Sequence, residues 1–166
     1  MKEVILGIGN TLNGDDGIGV YVARRIAQYL KELESNAAPT EGSAKEKELI
    51  PIDCGTAPEN HTSVIRRHAP DRLILVDAAD MGIDPGLYRI VPSERIGVLH
   101  FSTHDVPLSV FISYLKEFCG EVVLIGIQPK KVEFGSRLSR AVQRGGQCVA
   151  ELIIGDSLKK IEVLGI

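Results

Sequence analysis

Three stretches of this chain carry side chains able to do chemistry. They are Gly7-Ile-Gly9-Asn10-Thr-Leu-Asn-Gly14-Asp15-Asp16-Gly17, then Asp77-Ala-Ala-Asp80-Met-Gly82, and His100-Phe-Ser102-Thr-His104-Asp105-Val-Pro107. Brought together, Asp16, Asp77 and His104 offer two carboxylates and one imidazole, a donor set suited to a divalent cation. A cation so held can polarise a peptide carbonyl and acidify a bound water, the logic of metal-assisted hydrolysis. Each residue also has a structural use. Asp77 can serve a turn, His104 can be a satisfied group ahead of a helix, and Asp15 and Asp16 can cap the helix that follows them. Asp80 reads as a turn former.

Other chemistries fit the residues less well. Gly7-Ile-Gly9 opens like a dinucleotide fingerprint, but the third glycine of that motif falls on Leu12, and the acidic pair would repel a pyrophosphate. HExxH, GxSxG and P-loop patterns are absent. Ser102, His104 and Asp77 could imitate a triad, yet nothing puts Ser102 on a strained turn beside an oxyanion hole. Cys54, Cys119 and Cys148 are odd in number and far apart, so they suggest neither a disulfide framework nor a CxxC zinc site; all three read as buried or partly buried thiols.

The elements that must position these groups follow from the pattern of apolar residues. Short branched runs predict strands at 3–8, 49–53, 72–77 and 122–127, and residues 87–91, after the turn Ile83-Asp-Pro-Gly86, predict a hairpin-like edge strand. Ile18, Val22, Ile26 and Leu30 recur near a 3.6-residue period, which predicts a helix from Gly17 with the acidic pair at its start. A short helix is predicted over 58–68, with Val64 and Ile65 facing inward. The clearest helix begins after Pro107 and runs through Leu108, Phe111, Ile112, Leu115, Phe118 and Cys119, with Gly120 just past its end. A final helix is predicted over about 136–154. Alternating units of this kind predict an α/β fold: a three-layer, twisted, mostly parallel five-stranded sheet with helices on both faces, like those of phosphorylases and hydrolases. Ligand sites in such sheets lie beyond the carboxyl ends of the strands, near the point where strand order reverses.

A length of 166 residues with 44% hydrophobic content supports one substantial core, so a single domain is expected over residues 1–166. A mobile polar loop is expected at about 35–48, where apolar residues are almost lacking. The net charge of -3 gives no basic field for nucleic acid. No apolar run approaches the roughly 20 residues of a membrane span, and the N-terminus lacks the features of a signal peptide, so a cytoplasmic protein without membrane insertion is expected.

These blocks, with Ile52-Asp53-Cys54-Gly-Thr-Ala-Pro-Glu59 and Leu124-Ile-Gly-Ile-Gln-Pro129, resemble in content and order the hydrogenase maturation proteases, most closely the branch serving formate-linked or energy-converting hydrogenases. The resemblance implies an endopeptidase that removes a short C-terminal extension from the nickel-iron hydrogenase large-subunit precursor once nickel is in place. It assigns nickel contacts to the positions of Asp16, Asp77 and His104, with the nickel arriving on the substrate as a recognition signal; another divalent metal could take the same site. Asp53 matches a further motif residue with a role in cleavage or in fitting the substrate tail, and a structural turn is equally open for it. The expected partner is the precursor, and the expected state a monomer. The alternative is a non-catalytic chaperone that senses nickel without cutting.

Overall fold

Leu73-Ile-Leu-Val76 and Val123-Leu-Ile125 are continuous apolar runs rather than alternating ones, the pattern of strands covered on both faces, and every residue in them is buried. The protein is seen here as a computed structural model that describes residues 1–36, 47–101 and 106–165. Its strands are β1 (Lys2–Ile8), β2 (Glu48–Gly55), β3 (Arg72–Asp80), β4 (Tyr88–Ile90), β5 (His100–Phe101) and β6 (Glu121–Ile127). Its helices are α1 (Ile18–Asn36), α2 (Thr62–His68), α3 (Ser93–Ile96), α4 (Leu108–Leu115) and α5 (Arg140–Ile154).

Five strands lie in the order β2-β1-β3-β6-β4, and the short β5 adds to the end of β3. β1, β2, β3 and β6 are mutually parallel, while β4 runs antiparallel along β6. The α/β architecture with a mostly parallel sheet is as expected. β1 stands between β2 and β3, so strand order reverses between β1 and β3, the point beyond whose carboxyl ends sheets of this kind place their ligand sites.

Alternation along β3 divides the two cores. Ile74, Val76 and Ala78 pack with Ile18, Val22 and Ile26 of α1 and Val149 and Ile153 of α5. Leu73, Leu75 and Ala79 pack with Ile65 of α2 and Phe111, Ile112 and Leu115 of α4. By the same two-residue period, Asp77 belongs to the α4 side.

Several elements differ from the sequence expectation. β3 continues to Asp80 instead of ending at Asp77. β4 is an edge strand as predicted, but it pairs with β6 and not in a hairpin with its predecessor. α4 stops at Leu115: the Glu117 and Phe118 N–H groups turn back to the carbonyls of Tyr114 and Leu115, a tightening to three-residue spacing that ends the helix before Cys119. α5 starts at Arg140, four residues later than expected. Of the polar loop at 35–48, residues 37–46 lie outside the described residues; α1 continues to Asn36 and β2 begins at Glu48. The apolar C-terminal tail, unassigned from sequence, bonds to the free edge of β4 through Leu164 N–H and the Ile90 carbonyl, and buries Leu164. Pro51, which cannot donate to a ladder, sits on the opposite edge strand β2, where its missing N–H is tolerated.

Candidate active site

The loop after β1 is shaped by close approach. Gly9 has φ +143°, and a Cβ there would stand 1.9 Å from the Asp16 carbonyl oxygen. A Cβ on Gly19 would stand 2.1 Å from the Val76 carbonyl oxygen, so only glycine lets α1 start directly against β3. The turn Gly14–Gly17 thereby packs beside the end of β3. These glycines serve packing rather than a nucleotide: the Asn10 N–H, which a dinucleotide loop would offer to phosphate, donates to the Asp16 carboxylate at 3.2 Å.

Asp15 and Asp16 were expected to cap α1. Instead they lie inside a 3-10 turn that leads into the helix, and their carboxylates go to different places. Asp15 is fully buried and accepts four hydrogen bonds: Lys130 N–H at 2.9 Å, Lys131 N–H at 2.8 Å, Ser139 N–H at 2.6 Å and Ser139 Oγ at 2.7 Å. A carboxylate has about four lone-pair sites, so these donors saturate it. Burial pushes the Asp15 pKa up, but the Ser139 and Lys131 N–H groups, the Ser139 hydroxyl and the Lys130 N–H together outweigh that and hold it below the usual carboxylate value. Asp16, 6% exposed, accepts only the Asn10 N–H among the described residues. It keeps acceptor capacity that its neighbour has spent.

Asp77 was expected at the exposed end of its strand; it is fully buried inside β3, in register with Gly126 of β6 and one residue past the last β1 pair, Gly7 with Val76. Asp80 makes the expected turn by accepting the Gly82 N–H at 3.3 Å. Gln128, which no motif chemistry singles out, is 7% exposed. Its Oε1 accepts the Met81 N–H at 2.7 Å and its Nε2 donates to Asp80 at 3.2 Å, tying the loop after β6 to the end of β3. The signal for it was a lone amide closing an apolar strand. Asp53 lies away from the acids, at the end of β2, where it pairs with Arg24 at 3.0 Å and accepts the Gly55 N–H at 3.0 Å.

Ser102 and His104 lie outside the described residues. Phe101 pairs with Ala79, two residues beyond Asp77, and the chain resumes at Val106 ahead of α4, on the Asp77 side of the sheet. Among the described residues no three acidic, histidine or cysteine side chains converge on one point; the described part of the expected trio is its two carboxylates. The thiols are uneven: Cys54 is buried, Cys119 half-buried, and Cys148 exposed, contrary to expectation. Burial, with Asp53 and Glu59 nearby, pushes the Cys54 pKa up to about 12, so it is no nucleophile at neutral pH.

The profile of the hydrogenase maturation protease family matches residues 25–156. The chain belongs to this family. It is 36% identical over 156 residues to the hydrogenase 3 maturation protease of Escherichia coli strain K12, an alignment covering 93% of this chain and 90% of that protein. The solution structure of the endopeptidase HycI from Escherichia coli superposes with a TM-score of 0.79 at 34% identity, covering 99% of this chain and 97% of that one. The crystal structure of a [NiFe] hydrogenase maturation protease HycI from Thermococcus kodakarensis gives 0.73 at 33% identity, over 96% and 93% of the two chains. As a maturation protease, the chain has an acid-bearing loop at the reversal point of its sheet, one carboxylate spent on architecture and the next left with unused acceptor capacity. No described helix is long and apolar enough to cross a membrane.

Proposed function

We propose that this maturation protease is an endopeptidase that removes the C-terminal extension of a nickel-iron hydrogenase large-subunit precursor, and that it recognises nickel already seated in that substrate. The observation that carries the reading is the division between adjacent acids: Asp15 is saturated by four donors, while Asp16 receives one. An acid kept nearly buried with unused lone pairs, beside the end of β3, is suited to a cation brought by a partner. Asp16, Asp77 and His104 would hold the substrate's nickel and so place the scissile peptide. Bound there, the metal supplies Lewis acidity to the peptide carbonyl or to an attacking water. Asp53 and Arg24, fixed to each other at the neighbouring β2 end, are placed to steer the substrate tail. The protein is expected to act as a cytoplasmic monomer.

The test is incubation with nickel-loaded and nickel-free precursor, read by intact mass. Loss of a C-terminal peptide from the nickel-loaded form alone is the expected result. A stable complex with no loss of mass would overturn the peptidase reading in favour of a nickel-sensing chaperone.

A further inference from the structure

The four bonds of Asp15 fasten the loop after β1 to the segment that follows β6, and that segment differs in charge from the acid-bearing loop it meets. Residues 130–144 carry Lys130, Lys131, Arg137, Arg140 and Arg144 against the single acid Glu133, in a chain of net charge -3. Lys131 is paired with Glu133 at 3.4 Å. Arg137 makes no ion pair among the described residues.

A cavity of about 390 Å³ opens at this junction, lined by Thr11, Gly14, Ser136 and Arg137 and, from α1, by Tyr21 and Arg24. Beside it, Leu12, Val132 and Phe134 are 62%, 55% and 78% exposed. The Gly135 N–H donates to the Leu12 carbonyl at 2.9 Å, so the two loops that carry these residues adjoin. Exposed large apolar residues on two adjoining loops, one of them aromatic, close in sequence to an arginine with no ion pair among the described residues, have the composition of a contact surface.

Charge and position indicate the occupant. Thr11, Gly14 and Gly17, from the loop that carries Asp16, line the cavity, so a chain seated at Asp16 passes its rim. An acidic side chain on that chain would be repelled by Asp16 and Asp77 and attracted to Arg137, with Arg24 beside it. We infer that this cavity and its apolar rim form a subsite for the precursor's C-terminal extension, in which Arg137 pairs with an acidic side chain and Leu12 and Phe134 receive an apolar one. The inference rests on the peptidase reading for its substrate.

The experiment measures both cleavage and equilibrium binding of nickel-loaded precursor by the full chain and by Arg137→Glu, Arg137→Lys and Phe134→Ser variants, at low and high salt. Arg137→Glu should raise KM about tenfold with kcat within twofold and flatten the salt dependence, Arg137→Lys should recover most of the loss, and Phe134→Ser should raise KM severalfold. Replacing the acidic residues of the extension by lysine should rescue Arg137→Glu, which a merely structural arginine would not allow. Unchanged KM and binding in Arg137→Glu, or no rescue by the lysine extension, would overturn the subsite. If the parent protein binds precursor without cutting it, the peptidase reading fails alone, and the binding arm still decides the subsite: weaker binding by Arg137→Glu upholds it and equal binding ends it.

Discussion

The two ends of the sheet each bury acids, and they treat them in opposite ways. At the amino end, Glu3 of β1 is fully buried between two cations, Lys47 Nζ at 2.5 Å and Arg72 at 3.4 Å, with Glu121 and Asp156 completing the network. At the carboxyl end, Asp15 and Asp16 are met by N–H and O–H dipoles, and no cation pairs with either among the described residues. An acid neutralised by full charges has little left to offer a ligand, and Asp15 is spent on its four donors, whereas Asp16, met by one N–H, keeps both charge and lone pairs. The amino end secures the strands; at the carboxyl end Asp15 secures a loop and Asp16 keeps acceptor capacity.

Asp16→Ala should separate the two ends most sharply, lowering processing of nickel-loaded precursor by two to three orders of magnitude while the urea midpoint stays in place. Activity within tenfold of the parent would remove Asp16 from the chemistry. Glu3→Ala should do the reverse: Lys47 and Arg72 lose their shared anion, and unfolding free energy drops by about 3 kcal/mol, with processing per folded molecule unchanged. Parallel losses in both assays would erase the contrast.

Asp15→Ala falls between them, because four donors lose one acceptor and about 2–3 kcal/mol goes with them. Since the folded Asp15 carboxyl titrates below its ordinary value, its contribution is complete above the unfolded pKa of about 4 and fades as pH drops through the folded one. Acid unfolding curves should therefore steepen below that point in the parent and flatten there in Asp15→Asn. The smallest effect is expected at Asp53→Ala, where the Arg24 pair is 64% and 40% exposed at its two side chains; stability should change by less than about 1 kcal/mol in urea titrations.

Much of the sheet was legible because its period is local: the runs at 3–8, 72–77 and 122–127 all became strands within a few residues of the predicted ends. Errors fell where distant partners intervene. Residues 136–139, patterned like the start of a helix, stay outside α5 because Asp15 draws the Ser139 N–H and hydroxyl into a loop contact. The short β5 is stabilised by its pairing with β3 rather than by its own two residues. Leu164 has no local partner, because the carbonyl that accepts its N–H belongs to Ile90, far back in the chain.

The sequence by itself determined the alternation of strands and helices, the glycines that allow α1 to start against β3, and an order of motifs that places the chain among the hydrogenase maturation proteases. It marked Asp15 and Asp16 as a pair. Tertiary structure alone decided that one is a fastener and the other is left with acceptor capacity, because that depends on which N–H groups reach each carboxylate. Those of Asp15 come from 115 to 124 residues away, a separation that no local pattern encodes.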